Sequence, residues 1–179
     1  MQIILTALSP SLVTAWETYF SQLENVEIIE GDITKIACDA IVSPANSFGF
    51  MDGGLDYALS ERFGWDLEKQ LQKKIKELPE GELLVGQALV METHDSKIPF
   101  LVSAPTMRIP TNFNIHTSVN AYLAMKAILI KAKQHSMIQR VAIPGLCTGI
   151  GQMDENIAAK QMFQAYQEIV SGKKMHFST

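Results

Sequence analysis

Two cysteines in 179 residues, Cys38 and Cys147, are too few for a disulfide framework. Cys38 stands before a strand-like run and Cys147 in a loop, so a reducing compartment is the simpler expectation. His94, His116, His135 and His176 show no metal-ligand spacing and no pairing with cysteine, and no metal is expected. Fifteen Lys and Arg are dispersed against 19 Asp and Glu, for a net charge of −4, whereas a nucleic-acid footprint needs a basic face. Nucleic acid is therefore not the expected partner. The longest apolar run, residues 121–130, is interrupted by Lys126 and falls short of bilayer length, so no membrane partner is expected. The start, Met1-Gln2-Ile3-Ile4-Leu5, lacks the basic n-region of a secretory leader, which makes a cytoplasmic location the default. The patterns Gly-x-Gly-x-x-Gly and Gly-x-x-x-x-Gly-Lys are absent, which disfavours the common dinucleotide and P-loop sites. There is no repeat, low-complexity tract or linker, and a single domain over residues 1–179 is expected.

Apolar periodicity alternates between strand and helix. Residues 2–7 read as a buried strand. Ser9 is a plausible N-cap with Pro10 at the first helical position, where its missing N–H costs nothing. Leu12, Val13, Trp16, Tyr19, Phe20 and Leu23 follow at helical spacing. A short strand at 26–30 is broken by Gly31-Asp32-Ile33-Thr34. A strand at 39–43 and a helix at 55–63 follow, the helix ended by Gly64. Asp66 is placed to cap a further helix carrying Leu67, Leu71, Ile75 and Leu78 on one face. Residues 84–91 and 99–104 read as strands joined by the polar turn His94-Asp95-Ser96-Lys97, and 105–114 as a loop with two prolines. A helix is expected from about 115 to 133, apolar nearly all round between 121 and 130 and hence buried. After the strand Val141-Ala142-Ile143, Asp154 caps a last helix with Ala158, Met162, Ala165, Tyr166 and Ile169 inward. Residues 173–179 are either an edge strand or a frayed tail. Such alternation implies a three-layer α/β/α sandwich.

Two stretches share one pattern of strand, glycine-containing loop and helix start. The first runs from Ala40-Ile41-Val42 through Ser43-Pro44-Ala45-Asn46-Ser47-Phe48-Gly49-Phe50-Met51-Asp52-Gly53-Gly54-Leu55-Asp56. The second runs from Arg140-Val141-Ala142-Ile143 through Pro144-Gly145-Leu146-Cys147-Thr148-Gly149-Ile150-Gly151. In open α/β sheets, ligands bind beyond the carboxyl ends of the strands. Neither loop contains Lys or Arg. A diphosphate bound here would be held by backbone N–H groups and helix N-termini, with glycine clearing the approach. As isolated features, the glycines are equally turn punctuation.

Gly31-Asp32-Ile33-Thr34, Asp39-Ala40-Ile41-Val42-Ser43-Pro44-Ala45-Asn46, Gly53-Gly54-Leu55-Asp56 and Thr148-Gly149-Ile150-Gly151, in that order, resemble the macrodomain family of ADP-ribose-binding modules. Ala104-Pro105-Thr106-Met107-Arg108-Ile109-Pro110 is similar to a bacterial and phage-associated branch of that family. The resemblance covers nearly the whole chain and implies a mixed, largely parallel six-stranded sheet, with ADP-ribose or an ADP-ribosylated protein as partner and no cofactor.

It also implies residue roles. Asp32, acceptor-only as a carboxylate, would take the adenine amine with the Ile33 backbone beside it; the alternative is a capping aspartate. Gly145, Cys147, Thr148, Gly149, Ile150 and Gly151, with Ser43, Asp52, Gly53 and Gly54, form the candidate ligand-binding set. Asn46 would touch the distal ribose; the alternative is an Asx-turn residue. Asp56, at the helix start, would activate water at that ribose in a hydrolytic member. A helix N-terminus there would lower its pKa and weaken it as a base. Departures from the family pattern weigh against strong hydrolysis of ADP-ribose esters or of ADP-ribose 1''-phosphate. Met51-Asp52 stands in a glycine run, and no aromatic follows Thr148-Gly149-Ile150. Phe48, Phe50 and Met107 are candidate replacements for that aromatic. Asp52 either turns outward, binds ribose hydroxyls, or marks a less anionic ligand. Cys147 lacks a neighbouring His to activate it. Arg108 is the one cation expected near the site, or else forms a surface pair. The second functional reading is a phage-derived or tail-associated interaction protein that keeps the fold without the ligand.

Overall fold

The computed structural model describes residues 1–173. The edge strand or tail expected at 173–179 therefore lies almost wholly outside the described residues. In chain order the elements are β1 (Gln2–Ala7), α1 (Pro10–Phe20), β2 (Val26–Glu30), a 3-10 turn (Ile33–Lys35), β3 (Ala40–Asn46), α2 (Gly54–Phe63), α3 (Asp66–Lys76), β4 (Leu89–Glu92), β5 (Phe100–Met107), α4 (Asn120–Gln134), β6 (Arg140–Ile143) and α5 (Glu155–Ile169). The six strands form one sheet in the order β2-β1-β6-β3-β5-β4. Neighbours are parallel except β4, which runs antiparallel to β5. The sheet is thus mixed and largely parallel, as the resemblance implies.

Because strand side chains alternate between faces, the two layers of helices divide the strand residues between them. Ile3, Leu5, Val42, Val102, Val141 and Ile143 face α1, α4 and α5, where they meet Trp16, Phe20, Ile128, Leu129 and Met162. Ile4, Ile41, Leu101 and Ala142 face α2 and α3, where they meet Leu59, Leu67, Leu71 and Ile75. Central strands buried on both faces read as continuous apolar runs, which is why the sequence pattern identified them.

Element ends differ from the expected ones for identifiable reasons. Helix α4 starts at Asn120 rather than near 115. The Ser118 hydroxyl donates to the Ile115 carbonyl at 2.7 Å and accepts the Asn120 N–H at 3.2 Å. That local bonding competes with the helical pattern. Strand β4 begins at Leu89, because Leu84 and Gln87 bond to each other in a turn. Strand β5 continues three residues past Ala104, through Pro105, along β3. Pairing with β4 ends at Ser103, so Pro105 lies where β5 has become an edge and its missing N–H is tolerated. Asp66 is the first residue of α3 rather than its cap, and Trp65 precedes it. Ser9 and Asp154 cap α1 and α5 as expected.

Candidate functional site

A cleft of about 630 Å³ opens beyond the carboxyl ends of β1, β3, β5 and β6. That volume suits a small-molecule site. The pairing order β1-β6-β3 brings the two glycine-containing loops side by side, with the Gly31–Ile33 turn reaching in after β2.

Asn46 ends β3. Its Oδ1 accepts the N–H groups of Phe48 at 3.1 Å and Phe50 at 3.3 Å, and its Nδ2 donates to the Phe50 carbonyl at 2.9 Å. The side chain lines the cleft, but it works as the loop brace that the Asx alternative describes. Both lone pairs of Oδ1 are used, so one amide hydrogen remains for a ligand. The loop is fastened to α3 at two further points. The Met51 N–H donates to the Glu68 carboxylate at 2.6 Å. Gly49, at φ +74°, packs so closely that a Cβ would stand 2.8 Å from Ile75 Cδ1.

Helix α2 begins at Gly54 after Gly53, and no side chain caps it. Among the described residues, the N–H groups of Asp52, Gly53, Gly54, Leu55 and Asp56 donate to nothing. The helix thus presents its positive end to the cleft. Asp56 lies in this first turn and lines the cleft at 8% exposure. Ser43 donates to Asp56 Oδ1 from beneath. Ser43 is itself fully buried and does not reach the cleft. Burial pushes the Asp56 carboxyl up to about 6, the Ser43 hydroxyl pulls it down, and Glu68 and Asp52 push it further up. The expected lowering by the helix terminus is therefore corrected, because desolvation dominates.

In the second loop, none of the N–H groups from Gly145 to Gly151 donates to a described residue. The loop is closed at its end by the Met153 N–H on the Cys147 carbonyl at 2.9 Å and by Gln152 on Gly149 at 3.1 Å. Gly145, Thr148, Gly149, Ile150 and Gly151 all line the cleft. So does Cys147, which is buried, and its burial pushes the thiol up to about 12. Such a thiol stays protonated at neutral pH and is no nucleophile.

At the other end, Asp32 Oδ1 accepts both the N–H of Thr34 at 2.9 Å and its hydroxyl at 2.7 Å. These bonds hold the Asp32 carboxyl below the usual range. Among the described residues Oδ2 takes no bond, so the capping role leaves one oxygen for a ligand. Ile33 is buried beside it and lines the cleft. Arg62, in the last turn of α2, donates to the Thr34 carbonyl and to Asp95 at 3.3 Å, clamping this turn to the β4–β5 connection. Arg62→Ala is expected to loosen the turn. Amide exchange at Thr34 and Lys35 should rise, with a stability loss of about 1–2 kcal/mol seen by urea denaturation.

Arg108 does not enter the cleft. It pairs with Glu82 at 3.0 Å and stacks over Phe48 at 5.0 Å. Phe50, about half exposed, and Met107 do line the cleft. No lining residue is Lys, Arg or His, while Asp32, Asp52, Asp56 and Glu155 all contribute carboxylates. Among the described residues no group of His, Cys, Asp or Glu is arranged to hold a metal. Sequence reasoning missed a third corner, from Thr6 to Ser9 at the end of β1, which meets Glu155 where Ser9 Oγ donates to Oε1 at 2.8 Å. The signal was present, since Ser9-Pro10 is another strand–loop–helix junction.

The Macro domain family model matches residues 42–162. The chain is a macrodomain. An uncharacterized protein of Aquifex aeolicus is 30% identical over 140 residues, covering 78% of this chain and 79% of its own length. Among solved structures, the Oceanobacillus iheyensis macrodomain with ADP superposes with a TM-score of 0.68 at 22% identity, covering 80% of this chain and 75% of that one. Thermosipho africanus DarTG in complex with ADP-ribose gives a TM-score of 0.63 at 16% identity, covering 90% of this chain and 49% of that one. Likenesses at such identity concern the fold. This macrodomain shares that fold. No helix among its described residues is long and apolar enough to cross a membrane.

Proposed function

We propose that this macrodomain binds ADP-ribose, free or attached to a protein. The observation that carries the reading is two runs of backbone N–H groups with no acceptor among the described residues, at 52–56 and 145–151, in loops that line one cleft without a cationic side chain. An anion held there is held by backbone dipoles and a helix N-terminus. Asp32 Oδ2 and the Ile33 backbone take the adenine edge, the N–H row at 145–151 takes the diphosphate, and Asn46 and Asp56 face the distal ribose. The structures solved with ADP and with ADP-ribose in similarly folded proteins support this ligand class.

Asp32→Asn separates recognition from capping. Asn keeps an oxygen for the Thr34 bonds and replaces the free acceptor with a donor, which opposes the adenine amine. ADP-ribose affinity by calorimetry is expected to fall about tenfold or more, the cost of one opposed hydrogen bond, with only a small drop in melting temperature, since the Thr34 bonds to an amide oxygen are weaker than those to a carboxylate. Unchanged affinity would remove the adenine assignment. No heat with ADP-ribose, AMP, ADP or NAD would favour the interaction-protein reading instead.

The Asp56 carboxyl favours a second reading, hydrolysis of an ADP-ribose ester. A carboxylate held near 6 is a better base at neutral pH than an ordinary one. Loss of Asn46's acceptor to the loop weighs the other way, so turnover is expected to be slow. Rapid release of ADP-ribose from a modified protein, abolished in Asp56→Ala, would make the protein a hydrolase.

A further inference from the structure

We propose that the cleft discriminates by charge at its distal end, accepting ADP-ribose whose distal ribose bears no negative group and rejecting a terminal phosphate there, with Asp52 as the residue that sets this selectivity. The inference rests on the ADP-ribose reading and on the orientation given above.

Asp52 stands immediately before the N-cap of α2, exposed and lining the cleft. Asp56 follows in the first turn. Its Oδ1 is occupied by Ser43, and its Oδ2 receives no hydrogen bond among the described residues. Glu68 is pinned under the same loop by the Met51 N–H. Among the described residues no Lys, Arg or His forms an ion pair with Asp52, Asp56 or Glu68. The potential of both outer carboxylates reaches the helix start, since each raises the Asp56 carboxyl. Against them stands the α2 N-terminus, equivalent to roughly half a positive charge.

The other half of the cleft is different. Along Gly145 to Gly151 the N–H groups donate to no described residue, and Glu155, which also lines the cleft, accepts the Ser9 hydroxyl. A diphosphate can therefore lie along the second loop, and the uncharged hydroxyls of a ribose can donate to Asp56 and Asp52. A further phosphate beyond that ribose has only the crowded acidic end to occupy. One like-charge contact at about 4 Å weakens binding roughly fivefold in water and more where water is excluded.

The test is calorimetric titration of the whole protein at pH 8 and moderate salt with ADP-ribose and with ADP-ribose 1''-phosphate, repeated with Asp52→Asn. ADP-ribose is expected to bind at least about tenfold more tightly than the 1''-phosphate. In Asp52→Asn the phosphate should gain affinity and the ratio should narrow to about threefold or less. Equal wild-type affinities would overturn the selectivity and leave the ADP-ribose reading standing. A ratio unchanged by Asp52→Asn would overturn the role of Asp52. Silence for both ligands would overturn the ADP-ribose reading and this inference with it.

Discussion

Asp56→Asn is expected to make the empty protein more stable at pH 8 while weakening its hold on ADP-ribose. The Asp56 carboxyl moves from an ordinary 3.8 up to about 6 in the fold, chiefly because it is buried. The folded protein therefore binds a proton that the unfolded chain has released. Between pH 3.8 and 6 the folded state carries more protons, so stability falls as pH rises through that window. Below it the contribution is fully present, and above about 6 the cost of the buried charge is constant. Roughly two pH units of displacement correspond to about 3 kcal/mol at most. The amide still accepts from Ser43 but brings N–H groups of its own, so a gain of about 1–2 kcal/mol is expected, or a few degrees in melting temperature for a chain of this length. The sharper readout is the pH profile. Wild-type stability by urea denaturation should decline between pH 4 and 6 relative to the variant, and the two curves should run parallel above pH 7. A difference between them that does not vary with pH would mean that Asp56 is not the titrating group.

The layers of the fold were legible in the sequence because the central strands are apolar on both faces and the helices carry one apolar face each. Strand order was not. Nothing in Arg140-Val141-Ala142-Ile143 itself says that it inserts between β1 and β3, and the six-stranded mixed sheet came from the resemblance. The loops carrying Gly53-Gly54 and Thr148-Gly149-Ile150-Gly151 were recognisable as one site because each follows a strand and lacks a cation. The roles of individual polar groups were harder to read. Asn46 spends its oxygen on the Phe48 and Phe50 N–H groups, and Arg108 turns to Glu82 and Phe48. Both outcomes depend on which partner lies nearer in space. The Asp56 pKa failed to follow the helix-terminus rule because burial is a tertiary property. A helix N-terminus contributes about 0.3–1 kcal/mol when solvated, whereas removing a carboxylate from water contributes more.

Gly151→Ala and Gly149→Ala should separate the structural glycines of the second loop from the functional ones. At Gly151 an added Cβ would stand 2.6 Å from Ile115 Cγ2 and 2.8 Å from the Cys147 carbonyl oxygen. The isoleucine is buried and the carbonyl accepts the Met153 N–H that closes the loop, so neither can move freely. Overpacking of this kind costs about 1–3 kcal/mol, and displacement of the Cys147 carbonyl would carry the N–H row with it. Gly151→Ala is therefore expected to lose both stability and ADP-ribose affinity. At Gly149 nothing lies within 4 Å of an added Cβ, and the residue is exposed on the cleft wall. Gly149→Ala should leave the melting temperature unchanged or slightly higher, since it restricts the unfolded chain. It should nevertheless weaken ADP-ribose about tenfold or more, because a methyl group then stands where a phosphate must approach the backbone. Parallel melting and calorimetry on the two variants decide the matter. If Gly149→Ala binds ADP-ribose as tightly as wild type, the diphosphate does not rest on this loop, and the free N–H groups at 52–56 become the remaining place for it.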